Sequence, residues 1–393
     1  MSALPVLTPP SPPSLAALDA LLRQQHADQR LVGAVVLVRQ HGRLLHAAAT
    51  GWADREQQRP MQRDALFRLA SVSKPIVTAA AMRLVAQGVL RLDAPVTEVL
   101  PDFRPALPDG QVPVITLRHL LSHSAGLGYR FLDADSNGPH ARAGVSDGMD
   151  ANPVSLQDNV RRIAQVPLLF APGEAWSYSL GVDVAGAMLE AVTGTPLAQV
   201  VREQVTAPLG MRDTGFHTTT PTRLATPYVS DTPQPHRLEE GEVVAPFDGT
   251  AGIAYSLARA TDPAAFASGG GGMVGTADDV MQLLEALRGD EHRHWLGAAQ
   301  VAEMARAQVA EQGPPDPPGW GFGLGFAVLR DAALTKNPQA TGSWRWGGAY
   351  GHNWFVDPAR GLSVVALTNT LYEGMHGAFV DRLRDAVYAA VPA

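Results

Sequence analysis

The residues of this 393-residue chain best placed to do chemistry are Ser71 and Lys74, in the stretch FRLASVSKPIVTAAAMRLVAQG from Phe67 to Gly88. A serine hydroxyl is a poor nucleophile at neutral pH and needs a base to take its proton. Lysine can serve once its surroundings lower its pKa, whereas arginine is in effect never deprotonated in a protein. Of the 31 Lys and Arg residues only Lys74 and Lys336 are lysines, so a lysine three residues after a serine has a candidate chemical reason. On a helix that spacing sets both side chains on one side, with Cβ atoms roughly 5–6 Å apart. Pro75 is tolerated only in a first turn, so the helix is predicted to begin close to Ser71, bringing unpaired N–H groups and the positive dipole end there. One tension remains, because a proline disfavours helical geometry at the residue before it, Lys74.

Two further stretches could complete a site. In FAPGEAWSYSLGVD (Phe170 to Asp183) a Pro-Gly turn leads into Tyr178, at a loop–helix junction from which its hydroxyl could reach the Ser–Lys pair. In WRWGGAYG (Trp344 to Gly351) two glycines interrupt a strand-like run, a pattern that lets backbone approach a ligand closely. A backbone N–H following them could complete an oxyanion hole. Taken singly, each element also has a plainer reading: an exposed helix start, a core-packing tyrosine, a tight bend between strands.

The elements that must position these residues divide unevenly along the chain. Leu15, Leu18, Leu21 and Leu22 recur at helical spacing behind Ser14, which predicts a Ser-capped helix over Ser14 to Gln29. GAVVLVRQHGRLLHAAATGWAD then reads as a hairpin turning at Gln40 to Arg43. Near the other end, YGHNWFVDPARGLSVVALTN is two strands around the Asp357–Gly361 turn, followed by an amphipathic helix from about His376 to Ala390. Between roughly Pro75 and Leu209 helical periodicity dominates, as at Val77, Ala80, Ala81, Leu84 and again at Val182, Ala185, Leu189. The prediction is an α+β fold: an antiparallel sheet built from both chain ends, flanked by helices, with a mainly helical domain inserted. The expected division is residues 14–80 plus about 260–393 as one discontinuous domain, about 81–259 as the helical one, and 1–13 as a Pro-rich arm.

Together, in this order and at these separations, the three elements resemble the serine hydrolases of the penicillin-recognising fold: class C β-lactamases, DD-peptidases and the family VIII carboxylesterases. The S-x-x-K of that group matches Ser71 to Lys74, its Y-x-N matches Tyr178 to Leu180, and its third motif, W-G-G in many esterases, matches Trp346-Gly347-Gly348. LLSHSAGLGY (Leu120 to Tyr129) and SGGGGMVGTADDV (Ser268 to Val280) are similar in style, and the likeness runs from about residue 30 onward. It implies acyl transfer through Ser71, with Lys74 and Tyr178 moving the proton and the backbone N–H groups of Ser71 and Ala349 holding the oxyanion. Which of Tyr178 and Lys74 is the base is left open. It also implies Trp346, Gly347, Gly348, Trp344 and Tyr129 as substrate contacts.

The departures point toward esters. Leu180 replaces the Asn of Y-x-N, and Trp346 stands where a lactamase has the Lys of K-T-G. Strand alternation puts Trp344 on the face of Trp346 and turns Arg345 away, so the wall is aromatic and lacks a cation for a substrate carboxylate. A serine carboxylesterase for short-chain esters is the expectation. A β-lactamase or DD-peptidase on the same nucleophile, or a non-catalytic member of the fold, is the alternative.

Other signals are weaker. SHSAG around Ser124 is a poor nucleophile elbow, because Ser122 stands in place of its first Gly. DADSNG at Asp133 begins like a calcium loop, but Gly144 occupies the position of the bidentate Glu. Gly269 to Gly272 lack the Lys of a phosphate loop, and read as tight packing before a helix capped by Thr276. His292 and His294 read as a solvated face, and Gly313 to Gly319 as a loop. No His and carboxylate set has zinc spacing, so no metal and no cofactor are expected. A net charge of −7 and a pI near 5.9 argue against nucleic acid or an anionic membrane as partner. The absence of cysteine excludes disulfides and thiolate chemistry. The start MSALPVLTPPSPPS lacks the look of a signal peptide and Leu31 to Val38 is too short to span a bilayer, so a cytoplasmic location is the default expectation.

Overall fold

The computed structural model describes residues 15–289, 295–309 and 318–391. The Pro-rich arm, Ser14, His292, His294 and most of the 313–319 tract lie outside the described residues.

Strands β1 (Gly33–Gln40), β2 (Arg43–Asp54) and β3 (Arg59–Pro60) come first, followed by the short β4 (Phe67–Arg68). Two small ribbons follow, β5 (Tyr228–Val229) with β6 (His236–Arg237), and β7 (Val243–Val244) with β8 (Ile253–Ala254). Then come β9 (Val274–Gly275), which pairs with β4, and β10 (Trp320–Phe322), β11 (Ala327–Leu329), β12 (Trp344–Gly348), β13 (His352–Asp357) and β14 (Leu362–Thr368). The main sheet has eight strands in the order β10-β11-β12-β13-β14-β1-β2-β3, antiparallel throughout. Inside it β1 pairs with β14, from Ala34 opposite Thr368 to Gln40 opposite Leu362, so the two ends of the chain meet as expected.

Local chemistry explains the turns. His41 and Gly42 both take positive φ, 50° and 76°, as a two-residue hairpin following the sheet twist requires. At the other hairpin the Asp357 carboxylate accepts from Arg360 N, and Gly361 takes φ 58°.

The helices are α1 (Ala16–Ala27), α2 (Ser73–Ala86), α3 (Leu117–Leu121), α4 (Pro139–Arg142), α5 (Leu156–Ile163), α6 (Gly181–Thr193), α7 (Leu197–Val201), α8 (Ala277–Arg288), α9 (Ala298–Ala305) and α10 (Ala378–Ala390). On the first helix Leu15 holds the N-cap position, without a side-chain bond, and the expected cap Ser14 lies outside the described residues. Thr276 does cap α8, accepting from Asp279 N.

Alternation along β1 sorts the packing. Ala34, Val36 and Val38 face α1 and α10, where Leu18, Leu22, Phe379, Leu383 and Val387 cover them. Val35 and Leu37 face the opposite way, into a larger core with Ile76 and Val77 of α2 and Val280 and Leu284 of α8. That core continues without a break into α3, α5, α6 and α7 through Leu120, Val160, Val184 and Leu197.

Candidate active site

Ser71 sits in a tight 3-10 turn, Ala70–Val72, that runs directly into α2. Lys74 is helical despite the proline after it. Ala70 has φ 45°, a left-handed conformation that costs a non-glycine residue roughly 1–2 kcal/mol. The turn is held from both sides: Leu69 N donates to Met273 O at 2.8 Å, and His352 Nε2 donates to Arg68 O at 2.8 Å. Burial pushes His352 down to about 4, so it is neutral and keeps that bond.

Three polar atoms meet at the nucleophile. The Tyr178 hydroxyl donates to Ser71 Oγ at 2.5 Å, and Lys74 Nζ lies 3.2 Å from the same oxygen. Lys74 is fully buried and also donates to Gly270 O at 2.7 Å. Its Nζ stands 4.5 Å from the centre of the Tyr178 ring and 5.2 Å from that of Tyr129. Burial disfavours the ammonium and pushes its pKa down to about 7, against the opposing pull of the Asp183 and Asp147 carboxylates. Burial likewise raises the Tyr178 phenol above its ordinary value, so at neutral pH the tyrosine keeps its proton.

The third element closes the other side. A Cβ on Gly348 would lie 2.5 Å from Leu69 O and 3.3 Å from Val72 Cγ2, so β12 presses its backbone against the nucleophile turn as only glycine can. The following turn is pinned by Gly351 N donating to Gly348 O at 2.8 Å and Tyr372 N donating to Ala349 O at 3.1 Å. Among the described residues neither Ser71 N–H nor Ala349 N–H donates a hydrogen bond. Two unengaged donors flanking a serine hydroxyl suit an oxyanion.

Trp346 joins the site, its ring 5.5 Å from that of Tyr178 and edge-on to Phe322 at 5.0 Å. Tyr129 is there too, but behind Lys74, buried and 5.1 Å from the Tyr178 ring. Trp344 is not brought to the pair: it is buried and stacked on Phe326 at 5.3 Å, where it supports the strand. The Arg345 guanidinium lies over the Trp320 ring at 4.1 Å. Leu180 is fully buried in the core, so the third position of the Tyr178 motif offers nothing polar. Ser124 bonds to Ser122 Oγ at 2.8 Å and is buried, with no base bonded to it among the described residues. Asp133, in the calcium-loop look-alike, instead accepts from His140 Nδ1 at 2.8 Å.

Several contributors went unread in the sequence. Gly270 supplies the carbonyl that holds Lys74 in place, and Asp183 accepts from Ser268 Oγ at 2.6 Å while acting electrostatically on Lys74. His123, Trp176 and Phe131 pack around the Tyr178 ring. For Asp183 a signal existed, a lone carboxylate amid the apolar positions of GVDVAGAM. For Gly270 there was none, since a backbone carbonyl carries no residue type.

The model of the beta-lactamase family matches residues 18–389. The chain belongs to the beta-lactamase family. Within it, the chain is 51% identical over 379 residues to esterase EstB of Burkholderia gladioli, covering 96% of both. It is 28% identical to lovastatin esterase of Penicillium rubens, over 78% of this chain and 80% of the relative. The solved structure of EstCE1, a hydrolase with promiscuous acyltransferase activity, superposes with a TM-score of 0.92 at 48% identity, covering 95% of this chain and 98% of that one.

Proposed function

We propose that this beta-lactamase-family protein is a serine carboxylesterase that hydrolyses short-chain carboxylic esters through an acyl-enzyme on Ser71. The observation that carries it is the convergence of Tyr178 Oη and Lys74 Nζ on one serine oxygen, beside two unengaged backbone N–H groups. The 51% identity with esterase EstB supports the same reading.

The chemistry follows from protonation states. With its pKa near 7, Lys74 is in good part a neutral amine at physiological pH, whereas Tyr178 is a phenol. Lys74 therefore takes the Ser71 proton as Oγ attacks the ester carbonyl, and Ser71 N–H and Ala349 N–H receive the oxyanion. Collapse of the tetrahedral intermediate breaks the bond to the alkoxide, which is protonated from the Tyr178 hydroxyl, with Lys74 replacing that proton. Water then attacks the acyl-enzyme by the same relay in reverse. Trp346, Trp176 and Phe322 give the site an aromatic border, which suits neutral acyl esters.

The test is p-nitrophenyl butyrate hydrolysis by the native protein and by Ser71→Ala, purified side by side. Native turnover with a fall of about 10⁴-fold or more in the variant is expected. Equal activity in both would place the nucleophile elsewhere. A fluorophosphonate should add mass at Ser71, and a chromogenic cephalosporin should be turned over far more slowly than the ester.

A further inference from the structure

A second concentration of functional groups lies outside the Ser71 centre. A cavity of about 360 Å³ opens between the end of β2, strands β3, β4 and β6, and residues 221–227. That is within the usual range of roughly 300–1,000 Å³ for small-molecule sites. Ser71, Lys74, Tyr178 and Trp346 do not line it. Three arginines do, Arg59, Arg68 and Arg237, with one carboxylate, Asp54.

The one carboxylate does not satisfy the three guanidiniums. Asp54 Oδ1 accepts from Gln57 N at 2.9 Å and Oδ2 from Thr226 Oγ1 at 2.7 Å, and Arg237 approaches only to 3.5 Å. Glu240, whose charge acts on Arg68, is engaged by Leu257 N and Ala258 N. A guanidinium carries about five N–H donors. Arg59 gives one to Leu224 O, and Arg68 gives two, to Ala225 O and Leu257 O. Arg68 Nε is buried and has no partner among the described residues. The wall is thus a surplus of positive charge and directed donors around a space large enough for a ligand, in a protein whose net charge is negative.

We propose that this cavity is a second binding site, for a small anion with several oxygens such as a phosphate group or a polycarboxylate. Fork-shaped guanidiniums match those planar or tetrahedral oxygen sets. The site adjoins the catalytic turn through one residue. Arg68 lines the cavity with its side chain, while its carbonyl receives His352 Nε2 and its chain runs three residues on to Ser71.

The experiment titrates the full chain with inorganic phosphate and, separately, with citrate, against chloride at matched ionic strength, following calorimetric binding and melting temperature. Native protein should bind at least one of the two saturably, and which one it binds names the ligand class. Arg59→Gln and Arg237→Gln, both at the edge of the fold, should each weaken that binding about tenfold or more, and the double variant should abolish it. A cooperative melting transition close to the native one without the anion shows that all three fold, and p-nitrophenyl butyrate turnover should stay within twofold of native. No saturable response to either anion beyond chloride overturns the proposal, as does undiminished binding by a folded double variant. The readout does not depend on esterase activity, so it stands or falls apart from the reading of Ser71.

Discussion

The two faces of the main sheet solve opposite problems. On the face covered by α1 and α10, aliphatic side chains from Leu18 to Val387 interlock, and the Tyr388 hydroxyl is bonded to Asp357 Oδ2 at 2.6 Å. The other face holds a fully buried Lys74, buried Asp183 and His123, a left-handed Ala70, and, among the described residues, polar atoms without partners at His123 Nε2 and Trp176 Nε1. Burying such groups is costly and straining a backbone is costly, and both are tolerated where they produce reactivity. The first face is built almost wholly from apolar packing, and the second concentrates the buried polar groups.

Substituting the buried lysine tests that division most severely. Lys74→Met should lower kcat by about 10²–10⁴-fold, since the serine loses its base. It should also raise the melting temperature at pH 7, because the cost of burying an ionisable amine is removed and should exceed the cost of leaving Gly270 O without its donor. The sign with pH is fixed by the direction of the shift. Folding lowers the Lys74 pKa from its ordinary 10.5 to about 7, so between those values the unfolded chain binds the extra proton. This group's contribution to stability therefore improves as pH rises through that window, and the advantage of the Met variant should shrink from pH 7 toward pH 10. In the native enzyme kcat/KM should rise with pH with a midpoint near 7, as neutral Lys74 appears. A lower melting temperature for Lys74→Met would break the comparison.

Gly348→Val tests the same face through shape alone. Its Cβ would meet Leu69 O at 2.5 Å, and backbone cannot swing aside as a side-chain tip can. Either β12 or the nucleophile turn must move, which displaces Ala349 N–H from the oxyanion. The expected loss is about 10²–10³-fold in kcat, the size of removing one oxyanion donor. The measured outcome should be loss of kcat in protein that still folds by circular dichroism.

What the sequence revealed of these two faces differs for a physical reason. The outer face was legible because its information is periodic: alternation in GAVVLVRQ and helical spacing in the first and last helices each name a buried side. The reactive residues were legible as types and intervals, Ser71 with Lys74, Tyr178 at a helix start, and Gly347-Gly348 before Ala349. Their surroundings were not. Gly270 acts through a carbonyl, Ala70 through its backbone angles, and Asp183 and His123 through placements that only the assembled tertiary structure creates. Trp344 shows the limit of alternation as a guide. It stands two residues from Trp346, yet its burial against Phe326 depends on where β11 and its preceding loop settle.

On the quiet face the effects should be on stability and not on rate. Leu22, 1% exposed in α1, packs in the apolar cluster with no functional group near it. Leu22→Ala should destabilise by about 2–5 kcal/mol, the range for emptying a core leucine site. Denaturant unfolding should show that loss while kcat and KM for p-nitrophenyl butyrate stay unchanged at a temperature where the variant is folded. A comparable fall in kcat would mean that the faces are coupled through the sheet.

The gentlest test is Tyr388→Phe, which removes one hydroxyl from the same face. That hydroxyl donates to Asp357 Oδ2, but the carboxylate keeps Ala340 N on Oδ2 at 3.2 Å and Arg360 N on Oδ1 at 3.3 Å. The aromatic ring also keeps its place beneath the Arg360 guanidinium, 4.8 Å away. Because the acceptor is not orphaned, the cost should be that of one net hydrogen bond, about 1 kcal/mol, and not the larger penalty of a stranded charge. Activity should be untouched. The corresponding deletion on the reactive face, Tyr178→Phe, removes a hydroxyl of the same chemistry from Ser71 Oγ, and it should leave stability nearly level while turnover collapses. Measured as a pair, the two phenylalanine variants ask whether one functional group has one job or two, depending only on the side of the sheet it faces.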